Sequence, residues 1–284
     1  MPVSLVSVRT RDGVVLDGAA AHPRGRRRMA LIWVHGLGST FSSGQPLIRA
    51  LSRRLNAAGL GYLKLNTRGH GVVTRAGTRL AGAAFEDFAE SVHDVRAAIA
   101  LAVASGYRRV ILAGHSTGAN KVLHYMARTR DRRVAGLMLL GPVSDIAGER
   151  KRIGRRALAR RVVAAVRMAR RDPETLIPRA WGFRSAARFV SLFRPGEAED
   201  VFQYYRSDGD WRALGRIRVP TAVIVGSRDE YLDRRAATLV AAFERHAVAT
   251  PAFTGIIVPR ASHGFRGHET ALAGAVVGWA RALG

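Results

Sequence analysis

The chain has 284 residues, no cysteine, and 46 Lys and Arg against 21 Asp and Glu, a formal charge of +25 at pH 7. The length admits one large domain with a full core. The missing cysteines exclude disulfides, thiolate nucleophiles and cysteine-based zinc or iron–sulfur centres, and they suit a reducing cytoplasm.

Nearly all the positive charge is arginine, since only Lys64, Lys121 and Lys151 are lysines. Such charge fits an anionic substrate, a membrane surface or nucleic acid, or else side chains simply solvated at the surface. No nucleic-acid motif accompanies it, so nucleic acid is not expected as a partner, while peripheral membrane contact stays open. No apolar segment follows the few early charges and no run of about 18 apolar residues exists, so neither a secretory signal nor a transmembrane helix is expected.

Residues 3–9 and 14–22 read as strands joined by the turn Arg11-Asp12-Gly13. A basic loop from Pro23 to Arg28 leads to the apolar run Met29 to Val34, a buried strand ending at His35-Gly36. A helix from Pro46 to Ala58, a strand from Leu60 to Leu65 and a Gly-rich loop from Asn66 to Gly71 follow. Phe85, Phe88, Val92, Val95 and Ile99 recur at helical spacing and predict one amphipathic helix. Val110 to Ala113 and Val134 to Leu140 read as strands flanking a helix from Ala119 to Arg128. Later come a strand at Thr221 to Val225, a helix through Ala236 to Phe243, a strand at Phe253 to Val258 and a helix from Glu269 to Ala282. This alternation predicts an α/β fold with a mostly parallel sheet flanked by helices.

Residues 146–213 interrupt the alternation just before the penultimate core strand. Arg150 to Arg171 reads as one arginine-dense helix, with Ile153, Leu158, Val162 and Val166 as its apolar stripe. Aromatics from Trp181 to Trp211 follow. A bare loop of this length is unexpected, so the segment is read as an arginine-rich helical cap on a core formed by residues 1–145 and 214–284.

Ester or amide hydrolysis at neutral pH needs an activated nucleophile, a base, an orienter for that base and donors for the oxyanion. Gly114-His115-Ser116-Thr117-Gly118 lies between a predicted strand and a predicted helix, as a nucleophile elbow requires, with Ser116 at its apex. The backbone N–H of Thr117 sits at a helix N-terminus, where an anion is favoured. The second oxyanion donor is expected from the Gly-flanked loop His35-Gly36-Leu37-Gly38, at the N–H of Leu37. His263, in Ala261-Ser262-His263-Gly264 after the last strand, is the expected base, with His268 as its rival. Asp229 follows the strand before and is the expected orienter. Glu230, Asp233 and Asp145 are its rivals, Asp145 because it follows an earlier strand. No His, Asp and Glu cluster has metal-ligand spacing and no dinucleotide fingerprint follows a strand, so no metal and no cofactor is expected.

The elbow, the H-G-L-G loop, the late aspartate in G-S-R-D-E-Y and the late histidine in A-S-H-G together resemble the α/β-hydrolase superfamily. Within it, Leu123-His124-Tyr125 after the elbow, Gly141 to Asp145, Tyr204 to Asp208 and Asp229 to Tyr231 are similar to the fungal siderophore-esterase-like branch. The resemblance implies the α/β-hydrolase fold and cleavage of a carboxylic ester, in that branch one within a hydroxamate-type iron chelator. The arginine-rich insertion departs from the branch. Readings that stay open at this stage are a small, anionic ester as partner, a lysophospholipase, thioesterase or acyltransferase, and a non-catalytic small-molecule receptor.

Overall fold

The computed structural model describes residues 3–25 and 27–283, so Arg26 of the expected basic loop lies outside the described residues. The opening hairpin is β1 (Val3–Arg9) and β2 (Val15–Ala21), paired antiparallel. Then follow β3 (Met29–Val34), α1 (Gln45–Ala57) and β4 (Gly61–Leu65), and a small hairpin of β5 (Thr74–Ala76) and β6 (Arg79–Ala81). Next are α2 (Ser91–Ala104), β7 (Arg109–His115), α3 (Thr117–Thr129) and β8 (Val134–Leu140). After them come α4 (Asp145–Ile153), α5 (Arg155–Arg171), α6 (Ala186–Phe193) and α7 (Arg212–Gly215). The chain closes with β9 (Thr221–Gly226), α8 (Ala236–His246), β10 (Phe253–Val258) and α9 (Glu269–Arg281).

Eight strands form one sheet in the order β1-β2-β4-β3-β7-β8-β9-β10, parallel from β4 onward and antiparallel at β1 and β2. The inner strands are apolar on both sides because both faces are covered. Along β3, Ala30, Ile32 and Val34 enter the core shared with α2, α3 and α8. Met29, Leu31 and Trp33 enter the opposite core, with α1 and α9. The helical insertion has a core of its own around Leu158, Ala165, Ile177, Phe189 and Leu192. Among the described residues no helix is long and apolar enough to cross a membrane.

The arginine-dense segment is two helices instead of one. Gly154 at φ 85°, ψ 149° ends α4 and begins α5, and a helix cannot continue through a positive φ. Phe85 precedes the helix it was expected to share with Val95 and Ile99. Asp87 accepts the Ala89 N–H and starts a 3-10 turn at Phe88–Glu90, which delays α2 to Ser91. The β5–β6 hairpin was not foreseen, because strands of three residues are too short to show a period of two.

A buried ion network ties the insertion to the core. Arg188 on α6 is 1% exposed and pairs with Glu199 and, at 3.4 Å, with Glu86. Glu86 in turn lies 2.5 Å from Lys121 on α3, and Lys121 donates to the Thr67 hydroxyl at 3.0 Å. Removing one member of a buried, charge-balanced set leaves an uncompensated charge, at a cost of about 3–5 kcal/mol. Arg188→Met should therefore lower unfolding free energy by about that amount in a urea titration. A loss below about 1 kcal/mol would show that water already screens the cluster.

Candidate active site

Ser116 follows β7 directly, and its backbone is held at φ 56°, ψ −129°. A non-glycine residue keeps such angles only where its surroundings enforce them. The enforcement is steric closeness. A Cβ on Gly118 would lie 2.2 Å from the Val34 carbonyl oxygen, and one on Gly114 would lie 2.2 Å from the Gly118 carbonyl. Thus β3, β7 and the first turn of α3 meet with no room for side chains, and the turn lifts Ser116 out of the sheet. The Ser116 N–H donates to Leu140 O at 2.9 Å, anchoring the elbow to the end of β8.

The loops after β9 and β10 bring the other two candidates together. Asp229 Oδ2 lies 2.8 Å from His263 Nδ1, and both residues are buried. The carboxylate only accepts, so Nδ1 carries the proton and Nε2 keeps its lone pair. The second carboxylate oxygen accepts the Tyr231 N–H at 3.0 Å, which fixes Asp229. The His263 ring borders the end of β8 as well: a Cβ on Gly141 would lie 3.0 Å from its Cε1. Ser116 and His263 therefore flank adjoining residues, Leu140 and Gly141.

The rival carboxylates occupy other roles. Glu230 Oε2 accepts the His263 backbone N–H at 2.9 Å. Asp233 pairs with Arg234 at 2.8 Å. Asp145 lies at the N-terminus of α4, and its Oδ2 is buried with no hydrogen-bond partner among the described residues. His268 stands at the start of α9, with Nδ1 3.1 Å from Arg266 O.

Of the expected oxyanion donors, Thr117 N–H opens α3 and Leu37 N–H lies in the loop after β3. Neither is used in a turn or cap hydrogen bond among the described residues. The same loop sits against Ser116, since a Cβ on Gly36 would fall 2.8 Å from Ser116 Cβ. His35 braces this loop. Its Nδ1 lies 2.9 Å from Gly36 O, and Nε2 accepts the Thr67 N–H at 2.9 Å. Burial first, then the charge of Lys121, hold the ring neutral by lowering its pKa to about 3.

Sequence reading overlooked two contacts. His115, the residue before the serine, donates from Nε2 to the His263 carbonyl at 2.9 Å, and desolvation lowers its pKa to about 4. Tyr231 packs edge-on against His263 with ring centroids 4.6 Å apart. The His263 loop is thus held at its N–H, its carbonyl, its Nδ1 and one ring face. Only the adjacency of His115 to Ser116 and of Tyr231 to Asp229 hinted at these roles. Among the described residues no group of three or more His, Asp or Glu could hold a metal ion.

A cleft of about 460 Å³ opens beside this centre, bordered by Leu37, Asp145, Arg184, Phe193, Glu230 and Tyr231. A larger cavity of about 600 Å³ lies between the β5–β6 hairpin and α6 and contains none of Ser116, Asp229 and His263.

The family model described as protein of unknown function (DUF1749) matches residues 17–278. Among solved structures, the siderophore hydrolase EstB from Aspergillus fumigatus superimposes with a TM-score of 0.69 at 20% identity, over 99% of this chain and 98% of that one. An esterase of Pyrococcus furiosus gives 0.64 at 18% identity, over 99% and 90%. Est1E from Butyrivibrio proteoclasticus, with ferulic acid bound, gives 0.64 at 18% identity, over 97% and 98%. No curated protein matches the sequence. These likenesses establish the α/β-hydrolase fold.

Burial, and then the negative charge of Glu199, push the Asp145 carboxyl up to about 7. The folded state then holds a proton that the unfolded state, titrating near 3.8, has already released. More protons bound to the native state mean that stability falls as pH rises through this window. Asp145→Asn should remove that component. Denaturation midpoints at about pH 5 and about pH 8 should show the variant gaining on wild type at the higher pH. An equal difference at both values would rule the raised carboxyl out.

Proposed function

We propose that this chain, which belongs to the DUF1749 family, is a serine esterase that cleaves a carboxylic ester through an acyl-enzyme. The observation that carries the reading is the Asp229–His263 pair at 2.8 Å, placed at the end of β8 beside the strained elbow that presents Ser116. The esterases among the structural neighbours support it.

His263 Nε2 takes the Ser116 hydroxyl proton as Oγ forms a bond to the ester carbonyl carbon. The carbonyl electron pair moves onto oxygen, and the N–H groups of Leu37 and Thr117 stabilise that charge. Asp229 keeps the imidazole in the required tautomer and steadies the imidazolium. Collapse breaks the bond to the alcohol, which leaves with the proton from His263. Water, deprotonated by the same nitrogen, then attacks the acyl-enzyme, and the carboxylic acid departs as Ser116 regains its proton. Residues 146–213 act as a cap, and the cleft between α4, α6 and the Asp229 loop receives part of the substrate.

A fluorophosphonate probe should label the wild-type protein and fail to label Ser116→Ala. Hydrolysis of p-nitrophenyl butyrate should drop at least about 10⁴-fold in Ser116→Ala, and about 10⁴-fold in Asp229→Asn through the wrong tautomer. Labelling that survives Ser116→Ala would place the nucleophile elsewhere. A folded wild-type protein that neither reacts nor hydrolyses would point to the receptor reading.

A further inference from the structure

The cleft beside the catalytic centre is lined by six charged side chains: Asp145, Glu149, Lys151, Arg152, Arg184 and Glu230. Four of them are committed. Lys151 donates to the carbonyl of Leu232 at 2.9 Å. Arg152 and Glu149 pair at 2.5 Å. Glu230 holds the His263 N–H at 2.9 Å. Arg184 and Asp145 remain.

Arg184 stacks over Phe193, 5.3 Å from the ring centroid. It has no carboxylate within 4.0 Å among the described residues, although burial and the nearby Arg188 both act against its charge. Glu199, one of the acids in its field, is already bound to Arg188 and to the Ser191 hydroxyl at 3.0 Å. An arginine cannot relieve such a site by losing its proton, whereas a desolvated carboxyl can relieve its own by gaining one. Near neutral pH the cleft therefore holds a permanently charged Arg184 beside an Asp145 carboxyl that burial has raised to about 7 and that is only partly ionised. Asp145 and then Glu149 favour the Arg184 charge from a distance, but neither contacts it, and a partly desolvated guanidinium gains from a carboxylate in direct contact.

We propose that Arg184 is the specificity-determining residue of this site and binds a carboxylate carried by the ester substrate, with Asp145 flanking the bound group. This rests on the esterase reading and deepens it by naming the substrate class as an ester that bears a second, ionised carboxyl. Asp145 in its protonated form donates a hydrogen bond to that carboxylate, while the guanidinium fork receives it bidentately. Because the cleft also touches Leu37 and Tyr231, the anchor lies within one small molecule's reach of the reacting carbonyl.

The test compares matched esters in a pH-stat. Monoethyl adipate, ethyl hexanoate and the ethyl ester of ε-aminocaproate carry an anion, no charge and a cation on the acyl side. The acetate ester of ω-hydroxyhexanoate, against hexyl acetate, carries the anion on the alcohol side. In at least one set kcat/KM for the anionic ester should exceed that of the neutral one by at least about tenfold. In Arg184→Met that ratio should fall by at least about tenfold, with partial recovery in Arg184→Lys, which keeps the charge and loses the fork.

Equal turnover of anionic and neutral esters in both sets would overturn the proposal. So would a ratio untouched by Arg184→Met, or a preference for the ammonium ester. Calorimetric titration of Ser116→Ala with the two anionic esters separates this idea from the esterase reading. Tighter binding than of the neutral partners, lost when Arg184→Met is added, upholds Arg184 even where no turnover is seen. Equal, Arg184-independent binding rejects it even in an active enzyme.

Discussion

The site depends on how closely the first turn of α3 approaches β3. Gly118 leaves no space for a side chain above the Val34 carbonyl, and Gly114 leaves none beneath Gly118. With three backbones in contact, the link between β7 and α3 has one course, through a positive φ at Ser116. That strain is held by the sheet on both sides, through β3 and through the Ser116–Leu140 hydrogen bond. The hydroxyl, the Thr117 N–H and the loop carrying Leu37 then converge on one spot by construction. A small clearance between backbones is what turns a strand–helix junction into a strained elbow that presents the Ser116 side chain.

Around the elbow, charge is buried in a connected series. His35 meets Thr67, Thr67 meets Lys121, Lys121 meets Glu86, and Glu86 and Glu199 enclose Arg188. The series runs from the loop after β3, past the helix behind Ser116, into the helical insertion. Its members satisfy one another in a setting where an unpaired charge would be costly. The insertion is therefore fastened to the core by specific ion pairs as well as by contact of apolar surfaces. Arg68 does similar work at the hairpin end of the sheet, meeting Asp94 at 2.9 Å and Asp12 at 2.8 Å. A chain with a formal charge of +25 thus places some arginines in the interior, each with its acids, and exposes many others on α5.

Much of the framework was legible in the residues. Apolar runs such as Val110 to Ala113 and Val134 to Leu140 can bury both faces only inside a covered parallel sheet, and they do. The alternation of strands and helices gave the layer arrangement. Less was legible where local chemistry overrides periodicity. Gly154 split the arginine helix, Asp87 delayed α2 past Phe85, and β5 and β6 were too short to carry a pattern. In the site, the types and order of the candidate residues could be read, yet four carboxylates competed to face one histidine.

What the sequence determined by itself was the kind of parts: a small-flanked serine between strand and helix, a late aspartate, a late histidine and an excess of arginine. These follow from short-range constraints that residue identity alone imposes, such as the room glycine leaves or the alternation a buried strand needs. Only the tertiary structure decided which carboxylate meets His263, because Asp229, Glu230 and Asp145 differ in partner and not in chemical type. It also decided that Arg188 is neutralised while Arg184 stands in a cleft with no carboxylate in contact among the described residues. Both outcomes are set by distances between segments far apart in the chain, and electrostatic energy depends on those distances more steeply than on composition.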